Sequence, residues 1–220
     1  MKREEVRARI EEIGILPSVR VNSRDLARYA AETLYSAGIP IVEITMTTPG
    51  ALEVIGDLAK RYPDMVVGAG TVLDEEMARR CVDAGARFLT STGLVRKVVA
   101  YARTTDTAVF PGALTPTEII AAWKTGAEFV KIFPAAPVGG SQYIRALKVP
   151  LPQIPLIATG GVNQLTATDF ILAGATAIGL GAELLPNEAL HFHQENRIHE
   201  LARRFLSMVK DARALRETFY

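Results

Sequence analysis

Short apolar, β-branched runs begin near positions 16, 41, 65, 88, 108, 129, 156 and 177, and each is followed by apolar residues at helical spacing. The intervals between them run from 20 to 27 residues. Strand–helix units repeated at that interval pair their strands in parallel, because a helical crossover returns the chain to the same end of the sheet. Eight units predict a closed (β/α)8 TIM barrel, formed as a single domain over residues 1–220. An open doubly wound sheet shares the periodicity and differs in strand order, which a sequence does not state. Val6, Ile10 and Ile13 predict an N-terminal helix, and Ile198, Leu201, Phe205 and Met208 predict a helical segment over about 188–216 that packs outside the barrel.

Local signals agree with that division. Thr115-Pro116-Thr117-Glu118 reads as a capping box with proline at the first helical position, and Thr48-Pro49 and Asp74 mark two further helix starts. The pairs Ala37-Gly38, Ala84-Gly85 and Ala173-Gly174 close helices before the next strand. No linker or low-complexity tract divides the chain.

Composition narrows the partners. With 25 Lys+Arg against 24 Asp+Glu, the formal charge is +1, and no basic run suggests a nucleic-acid or anionic-membrane surface. Small molecules are the expected partners. Cys81 is the single cysteine, so there is no internal disulfide and no cysteine-based zinc site, and structural burial on a helix is its expected role. The charged N-terminus lacks a signal-peptide core, and no stretch reaches the roughly 18 apolar residues that span a bilayer. A cytoplasmic location is expected.

The chemistry concentrates at a lysine inside an apolar strand, Glu128-Phe129-Val130-Lys131-Ile132-Phe133-Pro134. At period two, Phe129, Lys131 and Phe133 share one face and Val130 and Ile132 the other. Burial disfavours an ammonium and raises the share of free amine, which can attack a carbonyl. A snorkelling side chain, or an ion pair with Glu43 across the barrel, is the structural alternative. In a barrel of this type function collects at the C-terminal strand ends. Those ends carry Arg20, Glu43, Thr45, Thr71, Lys131 and Thr159. Gly160-Gly161 and Gly179-Leu180-Gly181 follow the seventh and eighth strands, where backbone N–H groups and a helix start would favour a phosphate. Gly68-Ala69-Gly70 lacks the third glycine of a dinucleotide fingerprint and reads as close packing. His191, His193 and His199 fall in the charged C-terminal segment and read as a solvated helix face. No strand carries a histidine, so neither a metal nor a cofactor is expected.

Four segments in order, Val42-Glu43-Ile44-Thr45-Met46-Thr47-Thr48-Pro49, Val67-Gly68-Ala69-Gly70-Thr71-Val72, Phe129-Val130-Lys131-Ile132-Phe133-Pro134-Ala135 and Ala158-Thr159-Gly160-Gly161-Val162, resemble the 2-keto-3-deoxy-6-phosphogluconate (KDPG) and 4-hydroxy-2-oxoglutarate aldolase family. The similarity runs from about residue 15 to 185. It implies a class I aldolase on a (β/α)8 barrel, usually a homotrimer. By position, Lys131 resembles the Schiff-base lysine and Glu43 the proton acceptor and donor. Thr71 and Thr159 resemble substrate-contacting residues, joined by Thr45 and Phe133, while Gly160, Gly161 and Gly181 resemble the phosphate loops. Two departures stand out. Thr47 occupies a position where many members have an arginine for the substrate carboxylate, and Arg20 resembles an arginine that other members carry at the end of the first strand. Gly181 stands where many members have a serine.

The implied reaction cleaves the C3–C4 bond of a 2-keto-4-hydroxy acid, with a protonated imine at C2 as electron sink. Glu43 takes the C4 hydroxyl proton and returns one to the enamine, releasing pyruvate. The expected substrate is KDPG, which gives glyceraldehyde 3-phosphate. The galactonate epimer and 4-hydroxy-2-oxoglutarate remain open. Metal-dependent epimerases need strand-end histidines and aspartates, and an Asp-x-Lys-x-x-Asp decarboxylase needs carboxylates where Val130 and Ile132 flank the lysine. A non-catalytic metabolite-binding barrel is the alternative of another class.

Overall fold

The computed structural model describes residues 1–219. Nine parallel strands form one sheet: β1 (Ile15–Val19), β2 (Ile41–Thr45), β3 (Val66–Gly70), β4 (Phe88–Thr90), β5 (Ala108–Phe110), β6 (Gly112–Ala113), β7 (Val130–Ile132), β8 (Leu156–Thr159) and β9 (Ala177–Leu180). Their order is β5-β4-β3-β2-β1-β9-β8-β7-β6, so the two ends of the sheet are joined through Pro111 alone. The barrel and not the open sheet is the architecture. The expected fifth strand is thus two short pieces, one pairing with β4 and the other with β7. Proline has no N–H to give the ladder. Its carbonyl still accepts from the Lys131 N–H at 3.0 Å, which keeps the next strand in register.

Alternation sorts the strand residues into two cores. Val42, Ile44, Val67, Leu89, Val130 and Ile132 face the helices, whereas Leu16, Ile41, Val66, Phe88, Phe110, Phe129 and Ile157 fill the barrel. Phe110 stands 5.2 Å from both Phe88 and Phe129, stacked on the first and edge-on to the second. Helix α1 (Arg3–Ile13) adds Val6 and Ile10 to this inner cluster and stoppers the N-terminal end of the barrel. Burying two such side chains contributes on the order of 1.5–3 kcal/mol each. Glu128 links this stopper to the strands: it accepts from the Val109 N–H at 2.8 Å and faces Arg3 at 3.4 Å. Burial pushes its carboxyl above the ordinary range, against the pull of the Val109 N–H.

Several expected boundaries shift. Helix α3 (Ala51–Arg61) starts after Gly50, two residues beyond Thr48-Pro49, because the Thr48 hydroxyl is turned to the first strand, 3.4 Å from the Val19 carbonyl. The capping box at Thr115 forms as expected on α6 (Pro116–Trp123), and Asp74 caps α4 (Glu75–Asp83). The C-terminal segment is two helices, α9 (Asn187–His191) and α10 (Glu195–Phe219). Between them His193 has φ 49 and lies 4.5 Å from the Tyr29 ring of α2 (Arg24–Ser36), so it stands in a turn and not on a helix face, while it and His191 are exposed as expected. His199 bonds Ser36 at 2.9 Å. Cys81 is buried, and burial pushes its thiol up to about 12. Among the described residues, no helix is long and apolar enough to cross a membrane.

Candidate active site

The C-terminal mouth of the barrel encloses a cavity of about 310 Å³ that contains Arg20, Glu43, Thr71, Lys131, Phe133 and Thr159 in its wall. Glu43 and Lys131 come from β2 and β7 on opposite sides of the barrel. Alternation turns both inward, since Ile41 and Phe129, two residues before each, already belong to the inner core. The Lys131 Nζ lies 3.5 Å from Glu43 Oε2, with only 1% of Glu43 and 8% of Lys131 exposed. Two hydroxyls hold the carboxylate: Ser18 donates to Oε1 at 2.9 Å and Thr90 to Oε2 at 2.8 Å. Lys131 in turn donates to Thr90 Oγ1 at 3.4 Å. Gly70 leaves room for the carboxylate, because a Cβ there would fall 2.1 Å from Glu43 Oε1.

Arg20 leaves the end of β1 and crosses the mouth. Its guanidinium donates to Thr47 Oγ1 at 2.5 Å and to Thr71 Oγ1 at 3.2 Å. The side chain is exposed and lines the cavity. Thr71 sits at φ 61, a conformation that costs a β-branched residue of order 1–3 kcal/mol, and it turns its hydroxyl toward Arg20. Thr159 lines the cavity while its hydroxyl donates to the Ile132 carbonyl at 3.0 Å. Phe133 is 39% exposed, with Lys131 Nζ 5.9 Å from its ring centre. Thr45 is placed differently: it is fully buried, its hydroxyl bonds the Val19 carbonyl at 3.0 Å, and it is not part of the cavity wall.

Of the three glycines read as phosphate loops, Gly160 and Gly181 line the cavity and Gly161 does not. Gly161 has φ 85, and a Cβ would come 2.4 Å from that of Ala136. The helix expected after this pair and Val162-Asn163 starts at Ala167, as α8 (Ala167–Leu172). Asn163 intervenes with an Asx turn, its Oδ1 accepting from the Leu165 N–H at 2.9 Å. At Gly181 a Cβ would meet only the Ser18 carbonyl, at 3.8 Å. That open side leads to a further cavity of about 310 Å³ bordered by Gly181, Arg20 and Asn187.

Sequence reasoning passed over Ser18, Thr90 and Thr92 as site residues. Ser18 lay within reach of the alternation argument, since it shares a face with Leu16, whereas Thr90 ends a strand of only three residues and Thr92 lies beyond it.

An amine, a carboxylate and a guanidinium converging on a small concave site can bind a keto acid and move its protons. The comparisons with known proteins decide the family. Residues 6–201 match the family described as KDPG and KHG aldolase. The chain belongs to that family. As a KDPG/KHG-type aldolase it is a lyase. It is 32% identical over 190 residues to a KHG/KDPG aldolase of Escherichia coli, covering 86% of this chain and 89% of that one. Among solved structures, KDPG aldolase from Legionella pneumophila, with pyruvate captured as a covalent carbinolamine intermediate, superposes with a TM-score of 0.83. The two are 29% identical, covering 89% of this chain and 95% of that one. A cube-shaped protein cage made by fusing symmetric oligomeric domains gives a TM-score of 0.85 at 28% identity, over 94% of this chain and 76% of that one.

Proposed function

We propose that this aldolase is a class I enzyme that reversibly cleaves KDPG to pyruvate and glyceraldehyde 3-phosphate, with Lys131 as the imine-forming residue and Glu43 as proton acceptor and donor. The observation that carries the reading is the pair itself, a near-buried amine 3.5 Å from a doubly hydrogen-bonded carboxylate at the mouth of the barrel. The amine attacks C2, and loss of water gives a protonated imine that accepts the electron pair of the breaking C3–C4 bond. Glu43 takes the C4 hydroxyl proton as the aldehyde forms, then returns it to C3 of the enamine, and hydrolysis frees pyruvate. Arg20 holds the planar carboxylate beside the amine, with Thr71 as a second donor. Phe133 and Thr159 wall the keto end, and the N–H groups at Gly160 and Gly181, which border the cavity, take the distal phosphate.

The missing hydroxyl at Gly181 favours a second reading, in which the unphosphorylated 4-hydroxy-2-oxoglutarate is turned over as well. The whole chain acts as one catalytic domain, in the cytoplasm, and assembles as a homotrimer; the likeness to a cage built from symmetric oligomeric domains supports an oligomer. Assaying pyruvate release from KDPG, its galactonate epimer and 4-hydroxy-2-oxoglutarate tests the reading. Turnover of KDPG at a higher kcat/KM than either competitor is expected. No pyruvate from any of the three contradicts it.

A further inference from the structure

The Thr90 hydroxyl is placed between the two reacting groups and belongs to neither the cavity wall nor the outer core. It ends β4, is fully buried, donates to Glu43 Oε2 at 2.8 Å and accepts from Lys131 Nζ at 3.4 Å. A threonine hydroxyl has one proton to give and lone pairs to receive with. With its proton aimed at Glu43, Thr90 can only accept from the lysine. The Lys131–Thr90 contact, at 3.4 Å, is little shorter than the direct Lys131–Glu43 distance of 3.5 Å, but its second leg, from Thr90 to Glu43, is a full hydrogen bond at 2.8 Å, so the hydroxyl offers a connected route between the two groups. Resting on the aldolase reading above, we infer that Thr90 is the proton relay that converts the Lys131 ammonium to the attacking amine and charges Glu43 with the proton that dehydration needs.

The step balances. One proton passes from Lys131 Nζ to Thr90 Oγ1 as the Thr90 proton passes to Glu43 Oε2, leaving a free amine, an intact hydroxyl and a carboxylic acid. The amine attacks the keto carbon, the carbonyl electron pair moves to oxygen, and transfer of one proton from nitrogen to that oxygen gives the carbinolamine. Glu43 then protonates the carbinolamine hydroxyl, which departs as water and leaves the protonated imine. The carboxylate is restored for the C4 hydroxyl. Ser18 has no part in the transfer; it fixes the other carboxylate oxygen so that Oε2 stays toward Thr90.

The pair Thr90→Ala and Thr90→Ser tests this, because both lose the methyl group and only one loses the hydroxyl. Imine formation with pyruvate is timed by quenching into borohydride between pH 5 and 9 and weighing the adduct. Thr90→Ala is expected to slow imine formation by at least about 10²-fold, the low end of a general acid–base contribution. Its rate should also follow pH differently from the parent's, since the route from ammonium to carboxylate is cut. Thr90→Ser should stay within about threefold of the parent rate. Equal rates in the two variants, fast or slow, overturn the relay, as does an Ala variant whose pH profile keeps its shape. If the parent protein forms no adduct with pyruvate, the aldolase reading fails and the relay with it, whereas an adduct on Lys131 at equal rates in both variants removes the relay alone.

Discussion

Arg20 and Thr47 meet at the mouth of the barrel just beyond the paired ends of β1 and β2, the guanidinium donating to the threonine hydroxyl at 2.5 Å. The cation at the end of β1 thus stands over the position where the resemblance leads one to expect an arginine. If Arg20 is the carboxylate anchor, Arg20→Ala weakens pyruvate binding by roughly the 1.5–3 kcal/mol of a charged hydrogen bond. Arg20→Lys recovers part of that, lacking the bidentate fork. Adding Thr47→Arg to Arg20→Ala should restore affinity from the other side of the same contact. Pyruvate titration of the three variants checks this, and parent affinity in Arg20→Ala would remove Arg20 from the site.

Glu43→Gln keeps the shape of the side chain and loses its basicity. Turnover should fall by about 10² to 10⁴-fold while the fold is retained, the ordinary contribution of a general acid–base group. Thermal melting and steady-state rates separate the outcomes. A variant that melts far below the parent yet turns over normally per folded molecule would make Glu43 a structural partner of Lys131.

Gly181→Ser introduces a hydroxyl where a Cβ has only an ordinary contact, 3.8 Å from the Ser18 carbonyl. The variant should fold normally and lower KM for KDPG relative to 4-hydroxy-2-oxoglutarate. The ratio of kcat/KM for the two substrates reports it, and an unchanged ratio would place the distal phosphate elsewhere.

At the other end of the barrel, burial holds the Glu128 carboxyl above its ordinary 4.5. The folded state therefore binds more protons than the unfolded one from about pH 4.5 up to the raised native value, and stability falls as pH rises through that window. Glu128→Gln keeps an oxygen for the Val109 N–H and removes the titration. Its melting temperature should vary less over that window than the parent's, while imine formation is unchanged. Parallel melting curves for the two proteins against pH would contradict the assignment.

What could be read from the sequence follows from which signals are periodic. Lys131 and Glu43 interrupt apolar runs at period two, which marks both as interior positions, while the closed strand order sets their strands opposite each other. The break at Pro111 is a backbone event within a run that still looks apolar, so counting strands gives eight staves and misses the division of the fifth. Thr90 ends a strand of three residues, too short for alternation to announce a polar interior position, and threonine suits either face of a sheet. The turn at His193 hid for a similar reason: helical spacing continues through residues 188–216, and positive φ is uncommon for any residue but glycine. Thr45 shares the face of Glu43, yet it bonds its own rim, a contact that depends on how the loop after β2 folds back on β1.

Borohydride reduction in the presence of pyruvate, followed by mass analysis of the digested protein, tests the central claim most directly. The account predicts one reduced pyruvate adduct, on the peptide that contains Lys131, and its disappearance in Lys131→Met together with all turnover. An adduct on Lys124 or Lys148, or full activity with no adduct at all, would contradict it.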